Sequence, residues 1–186
     1  MNLVLAITGA TGAYAAEVLL RKSPWPVALV ASDWGKDVYG RECGNFESLA
    51  AGAAQVYDNS DLSAAIASGS VPTHGMVILP CSVNAMAKVA CGLNDSLISR
   101  AAHCHLKERR KLVLCVRESP WTQIDLDNAA KVASAGGIIM PLSPPFYLSA
   151  GQSPREITLA QLMEAYVDHV LSVLGHPAAS NWEHPA

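Results

Sequence analysis

The stretch LKERRKLVLCVRES, residues 106–119, decides the fold class of this 186-residue chain. Its centre, Leu112–Val116, is a short continuous apolar run with charged residues on both sides. Such a run is typical of a strand that is buried on both faces of a parallel sheet. In open α/β sheets ligands bind beyond the carboxyl ends of the strands, which is where Arg117 and Glu118 follow this run. An Arg beside a Glu at this place can hold an anion and move a proton, although a solvated ion pair is the commoner outcome for such neighbours.

The same part of the chain is rich in cations. Six of the 13 Lys and Arg residues fall within residues 100–117, while the whole chain has a net charge of -3. These six cations are Arg100, Lys107, Arg109, Arg110, Lys111 and Arg117. A local excess of positive charge in a slightly acidic chain favours a small anion over nucleic acid as the ligand. Phosphate fits best, because Arg offers a planar fork of donors and Lys a point charge.

Strands and helices alternate along the rest of the chain. An apolar run at residues 2–8 leads into Gly9–Ala13 and then a helical pattern, an arrangement that directs backbone N–H groups and a helix dipole at a phosphate. The GxxG spacing departs from the dinucleotide-binding GxGxxG, and a tight turn without a ligand would use similar residues. Further strands are predicted at residues 27–31, 56–57, 76–79 and 138–140, and helices at residues 33–40, 61–67, 83–90, 94–102, 120–135 and 159–174. The alternation predicts an α/β fold with a Rossmann-like (flavodoxin-like) doubly wound parallel sheet.

The size and composition of the chain suit one domain with a large apolar interior. We expect a single domain over residues 1–186 with an extended tail after about residue 175. Hydrophobic residues make up 51% of the chain and charged residues 16%, a balance that fits buried parallel strands together with a large subunit interface. No apolar run reaches the roughly eighteen residues of a membrane span, and the N-terminus lacks a signal-peptide pattern. We therefore expect a cytoplasmic protein without a membrane or nucleic-acid partner.

The cysteine and histidine residues do not predict a metal site. The five cysteines are widely spaced and form no CxxC pair, which is typical of buried reduced thiols. The run His103–His105 contains ligand types, but adjacent helical residues point in different directions and no second ligand pair follows at zinc spacing. We expect no bound metal.

Five motifs occur in the order and at the spacing found in the UbiX-type flavin prenyltransferases. They are GATGA (9–13), ILPCS (78–82), LIxRAA (97–102), LKERRxLVLCVRE (106–118) and PPFY (144–147). The chain resembles this family from Leu3 to about Gly175. The resemblance implies a homododecamer, with sites at subunit interfaces, that joins the dimethylallyl group of dimethylallyl phosphate to N5 and C6 of reduced FMN. The prenylated FMN would serve a UbiD-type decarboxylase, and no metal would take part.

The resemblance also implies roles for individual residues. The FMN would be held by Gly9, Ala10, Thr11, Ser32, Ser82, Val83, Asn84, Ala85 and Arg117. The dimethylallyl phosphate substrate would be contacted by Lys107, Tyr147, His169, Glu42, Arg100 and Trp182, with Glu42 reaching in from a neighbouring subunit. The catalytic residues would be Glu118, Lys107 and Arg117. Cations fixed on the departing phosphate lower the barrier to allylic C–O cleavage, and Glu118 would take the proton lost when C6 is alkylated.

The chain departs from the family pattern at several positions. His169 stands where the last helix usually carries a phosphate-binding Arg, and a neutral His is a weaker phosphate ligand. The segment 148–157 looks longer than usual, so that Arg155 is a candidate replacement for the missing cation. Ala85 stands where a Thr is common, and His103 where an Asp is usual.

Other functions compete with prenyl transfer. PCSVNAMAKVACG (80–92), including Asn84, resembles a segment of related FMN-dependent enzymes that oxidatively decarboxylate a cysteine-ended peptide or pantothenoylcysteine. Those enzymes need a His upstream of this strand, where the present chain has Ile66. A non-catalytic FMN-binding homologue is a third possibility. A short-chain reductase, suggested by ITGATG (7–12), is excluded because no Tyr is followed four residues later by Lys.

Overall fold

Six strands of the described part of the chain form one fully parallel sheet. The structure, a computed structural model, describes residues 1–143, 146, 153 and 155–177. The strands are β1 (Leu3–Ile7), β2 (Val27–Ala31), β3 (Gln55–Asp58), β4 (Gly75–Cys81), β5 (Leu112–Val116) and β6 (Ile138–Ile139). All except the edge strands β3 and β6 are fully buried, as their continuous apolar sequences predict.

The strand order is β3-β2-β1-β4-β5-β6. This order confirms the predicted Rossmann-like doubly wound sheet, because the chain first builds outward from β1 on one side and then crosses to β4 on the other. The crossover opens a crevice between the carboxyl ends of β1 and β4. Ligands of doubly wound folds bind in such a crevice.

Helices cover both faces of the sheet. They are α1 (Tyr14–Lys22), α2 (Asp33–Glu42), α3 (Phe46–Ala51), α4 (Val83–Ala90), α5 (Leu97–Lys107), α6 (Gln123–Ser134) and α7 (Leu159–Val173). Side chains at alternate positions of β1 point to opposite faces, so that Leu3, Leu5 and Ile7 join a core with α1 and α7. Val4 and Ala6 join a second core with α4 and α5. The two cores hold the sheet between two helical layers.

The structure differs from the sequence predictions at a few boundaries. Residues 61–67 were predicted as a helix but contain only a 3-10 turn at Ala65–Ala67. The carboxylate of Asp61 accepts a hydrogen bond from the backbone N–H of Ser63, and such local bonds compete with a helix. α5 begins at Leu97, three residues later than predicted, because Ser96 and Ser99 form a capping box there.

The expectation of uniformly buried thiols was wrong for part of the set. Cys81, Cys104 and Cys115 are buried, but Cys43 is half-buried and Cys91 is exposed. Within the described ranges, no helix is long and apolar enough to cross a membrane. Over the same residues, no cluster of His, Cys, Asp or Glu is arranged to hold a metal ion.

Candidate functional site

A cavity of about 640 Å³ lies at the carboxyl edge of the sheet, over the crevice between β1 and β4. Its volume falls within the range of small-molecule and cofactor sites. The residues after β1, β2, β4 and β5 form its walls. They include ten residues selected from the sequence: Gly9, Ala10, Thr11, Ser32, Ser82, Val83, Asn84, Ala85, Arg117 and Glu118. Four separate loops thus bring these residues to one place.

Thr8 joins the two sides of the crevice. Its hydroxyl donates to the carbonyl oxygen of Pro80 at 2.9 Å and accepts from the backbone N–H of Ser82 at 2.8 Å. The side chain is almost completely buried, so that both bonds are shielded from water. Thr8 therefore fixes the end of β1 against the loop that begins α4.

Two serines cap helices with their hydroxyl oxygens and keep a hydroxyl proton that can be donated to a ligand. Ser32 caps α2, where its hydroxyl oxygen accepts from Gly35 N at 3.0 Å, and Ser82 caps α4 by accepting from Ala85 N at 3.2 Å. A serine hydroxyl has one proton to donate besides its acceptor capacity. Each cap therefore remains able to donate to an anion or carbonyl in the cavity, next to a helix N-terminus that also favours negative charge.

Arg117 and Glu118 follow β5 and line the cavity side by side. The backbone N–H of Arg117 donates to Cys81 O at 2.9 Å, which ties this loop to the end of β4. Its exposed guanidinium makes no hydrogen bond or ion pair with another described residue, so its five donors remain available to a ligand. The carboxylate of Glu118 accepts from the backbone N–H of Ser119 at 2.9 Å. The other carboxylate oxygen of Glu118 can accept a proton.

The carboxylate of Glu42, the last residue of α2, contacts the N-terminus of α1 in its own chain. It accepts from the backbone N–H groups of Gly12 and Ala13 at 2.9 and 2.7 Å. α1 has no side-chain cap from its own first residues, so Glu42 fills that role from the end of α2. Glu42 does not line the cavity of this chain, and its expected entry into the site of a neighbouring subunit stays a prediction.

Two predicted substrate ligands, Lys107 and Arg100, do not line the cavity of their own chain. α5 runs antiparallel to the strands, and its last residue, Lys107, lies at the amino edge of the sheet. Five residues of β5 then separate the two edges, a length of about 16 Å. Lys107 forms an ion pair with Glu108, and Arg100 Nε donates to Ala67 O at 3.0 Å. Lys107 and Arg117 of one chain therefore lie at opposite edges of the sheet, and the predicted role of Lys107 in a site at a subunit interface stays a prediction.

The remaining predicted ligands belong to the last third of the chain. His169 is an exposed residue of α7, ten residues after its start at Leu159, and is not part of the cavity wall. Arg155 is also exposed and lies away from the cavity wall. Tyr147 and Trp182 lie outside the described residues.

Several cavity residues were missed by the sequence analysis. Besides Thr8, these are Asp33, Trp34, Asn59, Lys88, Val89, Ser96, Ile98 and Ser99. Lys88 follows Ala85 by three residues on α4, a spacing that places both side chains on one face of the helix, and this could have been read from the sequence. Lys88 Nζ lies 2.7 Å from the Asp95 carboxylate.

The cysteines next to the cavity are unsuited to nucleophilic chemistry. Burial raises the pKa of Cys81 well above its ordinary value and raises the pKa of Cys115 to about 12. Both thiols therefore stay protonated at neutral pH, and a thiol is a far weaker nucleophile than a thiolate. Arg117, Glu118 and the serine and backbone donors are groups of the cavity that can hold an anion or move a proton.

Comparison with known proteins gives one consistent result. A family model described as "Flavoprotein" matches residues 1–171. The flavin prenyltransferase UbiX of Deinococcus radiodurans is 47% identical over 150 residues, which cover 78% of this chain and 77% of the relative. The crystal structure of AnUbiX (PadA1) in complex with FMN and dimethylallyl pyrophosphate is similar with a TM-score of 0.91 at 34% identity, covering 100% of this chain and 98% of that one. A dodecameric FMN-dependent Ubix-like decarboxylase from Escherichia coli O157:H7 has a TM-score of 0.88 at 34% identity, covering 96% and 97%.

Proposed function

The chain belongs to the UbiX-type flavin prenyltransferases of the flavoprotein family, and on this premise we propose that it transfers a dimethylallyl group from a dimethylallyl phosphate to reduced FMN. The observation that carries the proposal is the cavity over the β1–β4 crevice, where Glu118 lies beside Arg117 and the Arg117 guanidinium is unpaired among the described residues. The similar AnUbiX structure holds FMN together with a dimethylallyl pyrophosphate.

The residues of the cavity fit FMN. The turn after β1 is free of large side chains, and the Ser32 and Ser82 hydroxyls can donate to the phosphate or the ring edge of the flavin. Gly9 is required in this turn, because a Cβ there would lie 2.6 Å from the Cβ of Trp34. When bound, reduced FMN supplies the nucleophilic N5 and C6 atoms.

The side chains of the cavity divide the remaining work. Cleavage of the allylic C–O bond leaves negative charge on the departing phosphate, and the Arg117 guanidinium stabilises that charge. Glu118 accepts the proton that C6 loses on alkylation. Val83, Val89 and Ile98 give the cavity an apolar wall, which keeps water away from the allyl cation.

We further infer that the site is completed by neighbouring copies in a homododecamer. Lys107, Arg100, Glu42 and His169 all lie away from the cavity of their own chain. A neighbour's Lys107, Arg100 and His169 would supply donors to the phosphate, and its Glu42 would reach the same site. The dodecameric similar structure supports this assembly. Tyr147 and Trp182 are proposed as further substrate contacts, and residues 1–186 as one domain. We propose that the protein works in the cytoplasm and that a UbiD-type decarboxylase uses its product.

Mass spectrometry of the flavin tests the reaction. We expect anaerobic incubation with reduced FMN and dimethylallyl phosphate to increase the flavin mass by one dimethylallyl group less a proton. The diphosphate donor is tested in parallel, because the similar structure contains the pyrophosphate. FMN that stays unmodified with both donors would exclude prenyl transfer.

A mixing experiment tests the shared site. Lys107→Met and Arg117→Met chains, each inactive as a pure assembly, are unfolded together and reassembled at equal amounts. In a shared site about a quarter of the positions recover both wild-type residues by random mixing, so activity returns to about that fraction. Reassembled Lys107→Met alone is the control. If the mixture stays inactive, Lys107 does not serve a neighbour's cavity.

Oxidative decarboxylation of a cysteine has one observation in its favour, since Asn84 lines the cavity. Ile66, which stands at the position of the required His, is buried in the core, and none of the described histidines lines the cavity. The acid–base group of that reaction is therefore missing from this part of the chain. Release of carbon dioxide from a cysteine-ended peptide would favour oxidative decarboxylation over prenyl transfer.

A further inference from the structure

Trp34 is a large aromatic residue that lines the cavity while most of its surface is exposed. It is the second residue of α2 and is 71% exposed. The other two tryptophans among the described residues have partners: the Trp25 ring stacks on His74 at 3.7 Å between centroids, and Trp121 Nε1 donates to Glu118 O at 3.0 Å. The ring of Trp34 has neither a stacking partner nor a hydrogen bond in this part of the chain.

Gly9 and Gly35 allow the close backbone packing that positions Trp34. Gly35 lies against the end of β1, where an added Cβ would be 2.5 Å from Ile7 O, and Ser32 caps the same turn. The first turn of α2 is thereby fixed. Gly9 leaves room for the Cβ of Trp34 directly above the turn that follows β1. The exposed indole is therefore the result of a tightly packed backbone at the cavity mouth.

The remaining cavity surface indicates what covers this ring. Val83, Val89 and Ile98 provide apolar surface in the same cavity, and the polar donors come from the Gly9–Thr11 turn and the Ser32 and Ser82 hydroxyls. A flat ligand with apolar faces and polar edges fits such surroundings, because aromatic rings gain most from offset stacking. The isoalloxazine ring of FMN has this shape.

We propose that Trp34 packs its indole on the isoalloxazine ring of bound FMN and closes the cavity mouth over it. This inference rests on the proposed function and adds to it a residue that holds the ring and excludes water. The exposed indole face is buried when the flavin arrives, which strengthens binding by the hydrophobic effect and by aromatic stacking.

Titration of FMN into four proteins tests the proposal. The wild type, Trp34→Phe, Trp34→Ala and the matched control Trp25→Phe are compared by indole fluorescence and by FMN dissociation constant. We expect Trp34→Ala to weaken FMN binding about tenfold to a hundredfold and Trp34→Phe by less, since a phenyl ring retains part of the stacking. The indole fluorescence of the wild type and of Trp25→Phe should be quenched strongly by FMN, and that of both Trp34 variants only weakly.

Two results would overturn the inference. The first is an FMN dissociation constant that Trp34→Ala leaves unchanged, with undiminished quenching. The second is equal quenching of Trp34 by dimethylallyl phosphate without FMN, which would place the indole on the prenyl donor instead. A wild type that binds FMN but forms no prenylated product would count against the proposed function while leaving Trp34 testable. Because Trp34 is mostly exposed, its substitution should not prevent folding, and Trp34→Phe provides a second, milder variant.

Discussion

The two ends of β5 use their cations in opposite ways. At the carboxyl end, the Arg117 guanidinium faces the cavity without a partner among the described side chains. At the amino end, Arg110 donates to the carbonyl oxygens of Val71 and Gly69, and Lys111 donates to Val173 O at 2.9 Å. The amino-end cations thus stabilise backbone carbonyls, including one in the last turn of α7, where the helix dipole favours positive charge. A cluster of cations in a sequence can therefore contain residues with different physical tasks.

The largest expected effect concerns the carboxyl end. Arg117→Met should lower the rate of prenyl transfer by about a hundredfold to a thousandfold, because it removes the charge that stabilises the departing phosphate. The melting temperature should stay close to that of the wild type, since the Arg117 side chain has no hydrogen bond or ion pair to the described residues. The measurement is the initial rate of flavin prenylation beside a thermal melt. If the loss is less than tenfold, other groups hold the phosphate.

Substitution of the neighbouring Glu118 should slow the later proton-transfer step. Glu118→Gln keeps the size of the side chain but cannot take a proton, so we expect about a hundredfold slower formation of the final product. FMN binding should be unchanged. Rates are followed by mass spectrometry and binding by flavin fluorescence. Equal rates for Glu118→Gln and the wild type would remove Glu118 from the proton transfer.

At the amino end of β5, loss of a cation should lower stability and leave the reaction rate unchanged. Arg110→Met should lower the free energy of unfolding by about 2 kcal/mol, because two carbonyl groups lose a charged donor. Chemical denaturation measures this loss. Arg109→Met is the matched control, since it removes the same charge from an adjacent residue with no side-chain hydrogen bond to the described part of the chain. The rate per folded Arg110→Met site should equal that of the wild type, and a large drop would contradict the division between the two ends.

The smallest expected effect is a pH dependence at the amino end. His105 is buried on α5, where one ring nitrogen pairs with Ala101 O and the other with Thr73 Oγ1, both at 2.7 Å. Burial lowers the pKa of His105 below its ordinary value of 6.5. The unfolded chain therefore takes up a proton at mildly acidic pH that the folded chain does not, and stability falls as the pH drops below about 6.5.

His105→Gln should flatten this fall, because Gln does not titrate. Denaturation curves of both proteins, measured at several values from neutral to mildly acidic pH, test it. The variant is expected to be less stable at neutral pH, where it loses part of the buried hydrogen bonding. Identical pH slopes for the wild type and His105→Gln would show that another group controls the acid response.

Features that depend on local sequence were predicted well. β2, β5 and α4 begin and end where the apolar runs and the Ser82 cap predict, because those signals lie within the elements themselves. Arg117 and Glu118 followed from the general position of ligands in doubly wound sheets, and the turn after β1 from its backbone N–H groups and the following helix dipole. The resemblance to the family added Ser32, Val83, Asn84 and Ala85.

Features that depend on distance across the fold could not be predicted. The predicted strand Leu112–Val116 separates Lys107 from Arg117, but the position of a neighbouring chain's Lys107 relative to this cavity depends on subunit packing, which no local pattern records. Trp34 lies among polar residues in the sequence DWGKD and resembles an ordinary surface position. Its place above Gly9 results from the packing of α2 against the end of β1, which no local pattern records.

The Thr8 hydroxyl has a consequence for how ligand preference can change in this fold. Its two bonds join the end of β1 to the loop after β4, and they hold the two sides of the crevice floor together. Because the floor is already held in place, ligand binding does not have to order it, and this lowers the entropy cost of binding. Ligand preference in this fold can therefore change by substitution of the rim residues alone, while the bonds of the floor stay the same.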